Sequence, residues 1–293
     1  MLVLRDGEVV LREGFGLADR ENGVPNKADT IFAVGSTPID FTKVAVLLLI
    51  ERGELSWDAP LSRFFEQVPE DKAGITVEQL MTGASGFADF FDVPEDGNPD
   101  HTFITRDELV RRMFASELLF TPGEGREHSH GAFGLLAAVV EIVSGQTYQA
   151  YTRTHIFEPA GMADTTFFGE PLPEGRFAVG YGLLTNGEIN APPYWGETSW
   201  LVMGSGGMVS TLDDLLAFQQ ALRAQEILSA DSLARYWSPP GAVSSNGDGF
   251  GFELLFTEDP GQQVFLVSNS TTPRTQHRLE ELMTAILRLV RGG

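Results

Sequence analysis

The sequence predicts an α/β protein of the α+β kind, in which an antiparallel sheet is flanked by helices and accompanied by a helical region. Strand-like stretches stand near the start of the chain, in LVLRDGEVV, and near its end, in FGFELLF and QQVFLVSN. Helical patterns fill the middle. Strands at both ends with helices between them indicate one sheet built from both termini. We expect a sheet region over 1–58 and 172–293 and a helical region over 59–171, within one domain.

The first elements are a hairpin and a long apolar helix. Asp6-Gly7 separates two β-type stretches, and this dipeptide favours the type I′ turn of a tight hairpin. The helix is predicted from about Pro38 to Arg52, and Gly53 suits a left-handed cap at its end. Ser36 stands just before this helix, where it is either a nucleophile or the N-cap residue.

Later elements continue the helical region and return to the sheet. Helices are predicted in TVEQLMTG, TRDELVRRMFASEL and GAFGLLAAVVEIVSG. The glycine loop GSGG at 204–207 precedes a helix capped by Ser210 or Thr211, and it lacks the Gly-Lys-Ser/Thr of a phosphate loop. The last helix is predicted from about Gln276 to Val290, because its apolar residues recur at helical spacing.

Composition and charge narrow the classes of partner. The net charge of −21, from 41 acidic and 20 basic residues, repels phosphate backbones and anionic lipid, so we expect no nucleic-acid and no membrane partner. The absence of cysteine excludes disulfides, thiol catalysis and thiolate metal sites. The longest apolar run, from Val44 to Ile50, is far shorter than the about 20 residues of a membrane span. Without an export signal at the start of the chain, we expect a cytoplasmic location.

Ordered sequence blocks identify a family resemblance. The blocks are FAVGS, LLLIERGELSWDAPLSRFF, GITVEQLMTGASGFADF, FTPGEG, VSGQTYQAY, IFEPAGMADTTF and GSGGMVSTLDDLLAF. In number, order and spacing they resemble the serine β-lactamase and penicillin-binding-protein superfamily, within it the branch of class C β-lactamases, esterases and D-aminopeptidases. The resemblance implies a β-lactamase/transpeptidase-like fold and acyl transfer through a serine. It further implies no cofactor and a small-molecule ester, amide or peptide-like ligand.

The first motif of that superfamily is Ser-x-x-Lys, in which a lysine one helical turn from the serine takes its proton. The chain reads STPI from Ser36 to Ile39, so the nucleophile of the motif is present and its base is absent. Lys43 lies two turns from the serine, about 10 Å along the helix axis, which is too far. Asp40 lies on the same helix face as Ser36, but a carboxylate with an ordinary pKa near 4 is a poor base.

The second motif is Tyr-x-Asn, whose tyrosine oxygen faces the serine. The chain places His128 at the tyrosine position and His130 at the asparagine position. One interpretation is a Ser36–His128 dyad oriented by Asp40, because an imidazole accepts protons near neutral pH. An imidazole nitrogen reaches roughly 2 Å less far from the backbone than a phenol oxygen, which leaves room for a water between Ser36 and His128. Another interpretation is a metal site on the two histidines, which lacks an evident third ligand.

The third motif is Lys/His-Thr/Ser-Gly on the strand that lines the site. SSNGDGFGF at 244–252 aligns with it, so Ser245 stands at the cationic position and Gly247 at the glycine. We expect the backbone geometry of this strand to persist. It would supply one half of an oxyanion hole, and the Ser36 N–H would supply the other. Phe90 and Trp195 are candidate walls of the ligand cleft.

These patterns support three hypotheses about function. The first is a β-lactamase-family serine-hydrolase homologue with degenerate catalytic motifs, weak or inactive, that binds a small ligand. The second is an active esterase or amidase that uses Ser36 with His128 as a rebuilt base. The third is a purely structural or oligomeric module. The family's usual helix before the first strand has no counterpart here, so we expect an apolar sheet face to be covered either by the C-terminal helix alone or by a second subunit in a homo-oligomer.

Overall fold

The computed structural model describes residues 1–89, 102–182, 189–236, 247–249, 251–259 and 261–291. The strands are Leu2–Arg5 (β1), Glu8–Arg12 (β2), Leu17–Asp19 (β3), Val24–Pro25 (β4), Phe32–Ala33 (β5), Thr166–Phe167 (β6), Tyr181–Gly182 (β7), Met208–Ser210 (β8), Gly247–Gly249 (β9), Phe252–Asp259 (β10), Gln262–Ser268 (β11) and Ser270–Thr271 (β12). The main sheet has the order β2-β1-β11-β10-β9, and its neighbouring strands are all antiparallel. Both ends of the chain therefore contribute to one sheet, as the sequence predicted.

The α-helices of the described residues are Pro38–Glu51 (α1), Glu70–Ala73 (α2), Val77–Met81 (α3), Arg106–Ala115 (α4), His130–Ser144 (α5), Tyr148–Thr152 (α6), Glu158–Ala160 (α7), Leu212–Arg223 (α8), Ala230–Tyr236 (α9) and Pro273–Arg291 (α10). The π-helical segment Arg153–Phe157 joins α6 to α7, so the three form one continuous helix over Tyr148–Ala160. Thr211 rather than Ser210 caps α8, because its hydroxyl oxygen accepts the Asp214 N–H. The last helix begins earlier than predicted. Thr272 precedes its first turn, and its hydroxyl oxygen accepts the Thr275 N–H. This backbone donor in the first turn has no acceptor within the helix itself.

The hairpin turn and the first helix form as the local sequence dictates. Asp6 and Gly7 both have positive φ, 52° and 84°, as a type I′ turn requires. Helix α1 is buried along almost its whole length, and the Phe41 ring packs edge-on against Phe157 and Phe218, at centroid distances of 5.2 and 4.8 Å. This burial accounts for the apolar run in α1, since a helix surrounded by core has no polar face.

The C-terminal helix covers one face of the main sheet. Leu279, Met283 and Ile286 of α10 pack against the buried cluster that contains Val264 and Leu266 of β11. A smaller sheet of order β5-β8-β6 lies where the chain enters α1. Within the described residues no single helix is long and apolar enough to cross a membrane, and one bent pair, His130–Ser144 with Tyr148–Ala160, passes that test jointly by length and composition alone.

Candidate active site

Ser36 lies in a tight turn between a strand and a helix. Strand β5 pairs with β8, and Gly35, with φ of 53°, then turns the chain into α1. Glycine adopts this left-handed conformation without steric cost. Thr37, not Ser36, is the N-cap residue of α1, and it makes no side-chain cap bond. The Ser36 hydroxyl is therefore not used to cap the helix, and it points to a different partner.

That partner is His130, the first residue of α5. The Ser36 Oγ lies 3.2 Å from the His130 Nε2. The neighbouring Ser129 fixes this end of α5, because its hydroxyl oxygen accepts the Ala132 N–H and its hydroxyl donates to the Ala88 carbonyl at 3.0 Å. The start of α5 and the segment that ends at Ala88 are thus held together at the site.

Asp89 follows that segment and orients the histidine. The His130 Nδ1 lies 2.9 Å from the Asp89 Oδ2 and 3.0 Å from Oδ1, and the side chains are 14% and 20% exposed. A carboxylate only accepts hydrogen bonds, so Nδ1 carries the hydrogen of a neutral ring and Nε2 presents a lone pair to the Ser36 hydroxyl. Serine, histidine and aspartate are therefore connected in the order of a Ser-His-Asp triad.

The backbone also holds the Asp89 carboxylate in place. The His130 N–H donates to the Asp89 Oδ1 at 3.3 Å, so the carboxylate lies at the N-terminus of α5, where the helix dipole favours a negative charge. Upstream, the Gly86 carbonyl accepts the Leu119 N–H at 2.8 Å, and Phe87 is fully buried. None of the three sequence motifs singled out Asp89. Its only signal was its place in the block GITVEQLMTGASGFADF, because 41 residues separate it from His130.

His128 has a different environment from His130. Its ring packs edge-on against the His130 ring at a centroid distance of 4.5 Å and lies over Phe133 at 6.1 Å. The pKa of His128 is lowered mainly by desolvation and, to a smaller extent, by the neighbouring His130. Across the described ranges no hydrogen bond joins His128 to Ser36. The structure thus brings His130, rather than the expected His128, to the serine, because His130 begins α5 while His128 precedes the cap of that helix.

The residues near Ser36 on α1 do not supply a base. Asp40, expected to orient His128, forms an ion pair with Lys43 at 3.3 Å, and in the described part of the chain no hydrogen bond or ion pair joins it to either histidine. Ile39, at the position of the motif lysine, packs on the main core and lines a cavity of about 400 Å³ together with Lys43 and His128. An apolar side chain therefore stands where the first motif needs an amine.

Comparison with known proteins identifies the family. A model of the family described as Beta-lactamase matches residues 1–277. The chain belongs to the Beta-lactamase family. Its fold is the β-lactamase/transpeptidase-like fold predicted from the sequence: the penicillin-binding protein from Bacillus halodurans superposes with a TM-score of 0.75 at 25% identity, over 98% of this chain and 94% of that one.

Two relatives show what kinds of protein this family member is similar to. It is 30% identical over 283 residues to the putative penicillin-binding protein PbpX of Bacillus subtilis (strain 168). The alignment covers 92% of this chain and 69% of that relative. It is 32% identical over 298 residues to Esterase EstB of Burkholderia gladioli. This alignment covers 88% of this chain and 75% of that relative. The chain thus spans between two thirds and three quarters of the length of these two relatives.

Of the remaining candidates, Gly247 and Trp195 lie within the described residues, while Ser245 and Phe90 do not. Gly247 lies in β9, the edge strand of the main sheet, where it pairs with Leu254. Ser245 and Phe90 fall outside the described residues. Trp195 is packed in a core cluster, with ring centroids 4.7 Å from Phe168 and 5.7 Å from Phe252. Its ring contributes to this packing and is 9% exposed, and its role as a wall of the ligand cleft stays a prediction.

Proposed function

We propose that this Beta-lactamase-family protein is a serine esterase that uses Ser36, His130 and Asp89 as its catalytic triad. The observation that carries the proposal is that both nitrogens of the His130 ring are within hydrogen-bond distance of a partner. Nε2 lies 3.2 Å from the Ser36 Oγ, and Nδ1 lies 2.9 Å from the Asp89 Oδ2. The superfamily resemblance implies a lysine for this proton transfer, and Ile39 stands at that position in this chain. Similarity to an esterase at 32% identity supports esters as the substrate class.

The geometry assigns a role to each atom. The His130 Nε2 takes the Ser36 proton as Oγ attacks the ester carbonyl carbon, and Asp89 stabilises the imidazolium that forms. The Ser36 N–H has no hydrogen-bond acceptor within the described ranges, so it is available to the oxyanion of the tetrahedral intermediate. His130 then protonates the departing alcohol. In the second half of the reaction His130 takes a proton from a water that attacks the carbonyl carbon of acyl-Ser36, and it returns this proton to Oγ as the acid leaves.

A single imidazole suits esters better than β-lactams or amides. An alkoxide is a better leaving group than an amide anion, so an ester demands less of the proton relay. The family resemblance assigns that relay to a lysine, and position 39 here is an isoleucine packed on the core. We therefore propose esters of small acids as the substrates, with a β-lactam acting at most as a slow acylating agent.

The competing function is the one that the sequence motifs favoured, a ligand-binding protein with weak or no hydrolase activity. It is supported by Ile39 in place of lysine and by Ser245 in place of the cationic residue. It requires that the Ser36–His130–Asp89 contacts have no catalytic consequence. One set of variants separates the two functions.

The test measures hydrolysis of p-nitrophenyl butyrate and labelling by a fluorophosphonate, with intact mass as the readout of the adduct. We expect one adduct and measurable hydrolysis, both lost in Ser36→Ala. In His130→Ala we expect a rate loss of about 10²–10⁴. His128→Ala is the matched control, an equal truncation of a neighbouring imidazole, and should retain the rate to within about threefold.

One outcome would decide against the esterase, and another would decide against the assignment of His130 as its base. A folded protein that takes no adduct and hydrolyses no faster than Ser36→Ala would leave the ligand-binding function. Equal activity losses in His128→Ala and His130→Ala would mean that the triad contact is not specific to His130.

A further inference from the structure

The two histidines and Asp89 form a cluster with a second chemistry. Asp89, His128 and His130 each offer one ligand atom, and these atoms all lie within 4.8 Å of one another. From this arrangement we propose that the three side chains bind a divalent ion of the zinc class, and that the bound ion switches the hydrolase off. The binding half stands on the cluster alone, while the inhibitory half rests on the proposed esterase function.

The distances suit a small ion. Zinc lies 2.0–2.2 Å from histidine nitrogen and carboxylate oxygen, so ligands of a tetrahedral site are roughly 3.3 Å apart. The His130 Nδ1 and the Asp89 Oδ2 are already 2.9 Å apart. The His128 side chain is exposed and makes no hydrogen bond in the described part of the chain, so its ring can turn toward the ion without breaking one. Three protein ligands leave one position for water.

The donor types select the class of ion. Two imidazoles and one carboxylate suit zinc, copper, cobalt and nickel, whereas magnesium and calcium prefer oxygen ligands throughout. The net charge of −21 raises the concentration of divalent cations near the surface. We therefore expect Zn²⁺ and Co²⁺ to bind, and Mg²⁺ at equal concentration not to compete.

Occupation of the site removes the base from the triad. An ion on the His130 Nδ1 leaves the ring hydrogen on Nε2, which then donates to the Ser36 Oγ instead of accepting from it. An ion on Nε2 takes the same lone pair directly. In either case the Ser36 proton has no acceptor, and Asp89 is held by the ion rather than by the imidazole.

His128 allows this site to be tested separately from catalysis. It belongs to the cluster, but no hydrogen bond joins it to Ser36 in the described part of the chain. A variant without its imidazole should lose a metal ligand and keep the triad. His277, an exposed histidine paired with Glu281 on α10, provides a matched control for adventitious binding by surface imidazoles.

The binding experiment uses Co²⁺ absorption in the visible range and Zn²⁺ calorimetry. We expect one equivalent to bind to the wild type and equally to Ser36→Ala, which cannot form an acyl-enzyme. His128→Ala should bind about 10–100-fold more weakly, while His277→Ala should be unchanged. A wild type that binds no equivalent, or a His128→Ala variant that binds as tightly as the wild type, would overturn the site whether or not the protein is an esterase.

The activity experiment follows ester hydrolysis during Zn²⁺ titration. We expect loss of activity at one equivalent, recovery with a chelator, and a half-inhibitory Zn²⁺ concentration about 10–100-fold higher in His128→Ala. Zinc that binds but leaves the rate unchanged, or raises it, would overturn the inhibitory half and leave the binding half standing. An inactive wild type that still binds Zn²⁺ through His128 would refute the esterase and the inhibition while supporting the metal site.

Discussion

Two histidines separated by a single residue have different tasks because the helix begins between them. Ser129 caps α5, so His130 lies in the first turn and faces Ser36, while His128 lies outside the helix and remains exposed. His130 is bonded on both ring nitrogens, a condition that fixes its tautomer and its orientation. The chemistry of the site therefore depends on the position of a helix cap as much as on residue type.

The first prediction concerns the carboxylate at residue scale. In Asp89→Asn the amide can present an N–H to the His130 Nδ1, which favours the tautomer with hydrogen on Nε2 and leaves no acceptor for the Ser36 proton. We expect kcat for ester hydrolysis to fall by about 10²–10⁴ with little change in KM. Steady-state kinetics measure this. Asp107→Asn, at a side chain that is 91% exposed, is the control and should keep the wild-type rate. An Asp89→Asn enzyme with an undiminished kcat would remove Asp89 from the mechanism.

At the scale of elements, the glycine loop 204–207 packs closely on α5. Gly204 has φ of 84°, and a Cβ placed on it would lie 2.5 Å from the Phe133 carbonyl oxygen. The Gly204 carbonyl in turn accepts from the Thr42 hydroxyl of α1 at 2.6 Å. The loop is thus in contact with both helices that carry the site, and only glycine permits this approach.

The second prediction tests that contact. Gly204→Ala should destabilise the protein by about 3 kcal/mol or more, because it combines strain at positive φ with a backbone clash. It should also lower activity, since Phe133 lies one turn after His130. Gly53→Ala is the matched control, with φ of 71° and no atom within 4 Å of the added Cβ, and should cost about 1–2 kcal/mol. Chemical denaturation measures both variants, and equal costs would contradict the close approach.

At the scale of the whole molecule, charge opposes compactness. The net charge is −21, and only three of the basic residues are lysine. Like charges on one compact surface repel one another, and salt screens this repulsion over distances of about 10 Å. The absence of nucleic-acid and membrane partners and the cytoplasmic location stay predictions of the sequence.

The third prediction follows from this repulsion. Raising NaCl from about 20 mM to about 500 mM at pH 7 should raise Tm, by about 2–4 °C for each kcal/mol gained. The control is the same titration near pH 4.5, the sequence pI, where the net charge vanishes and the increase should largely disappear. Scanning calorimetry provides the readout. A Tm that falls with salt at pH 7 would show that attractive ion pairs outweigh the repulsion.

The fourth prediction concerns self-association. Although α10 covers one sheet face, Phe15, Leu282 and Leu289 remain 56%, 42% and 74% exposed, and the first two line a cavity of about 440 Å³. Exposed apolar surface of this kind favours contact between copies, so we predict a homo-oligomer. Sedimentation velocity should show a species larger than the monomer, which Phe15→Ser weakens and Tyr194→Ser, at a ring that is 65% exposed, does not. A monomer at every concentration would contradict the prediction.

The sequence by itself determined the elements and the family. Asp6-Gly7 has the two positive φ values that its residue types predict, and Gly53 and Gly145 follow the ends of α1 and α5 in left-handed conformations. These features depend on a few adjacent residues, so local patterns suffice to predict them. The antiparallel sheet built from both ends followed from the same patterns, and the ordered blocks identified the family that the family model confirms.

Only the tertiary structure decided which residues meet at Ser36. His130 lies 94 residues from Ser36 in the chain, and Asp89 lies 41 residues from His130. A hydrogen bond forms only within about 3 Å, so neither residue type nor spacing can select His130 over His128. The packing of α1 against α5 and the Ser129 cap made that selection. The same reason applies to Trp195: an aromatic residue suits a cleft or a core equally, and only its neighbours Phe168 and Phe252 place it in the core.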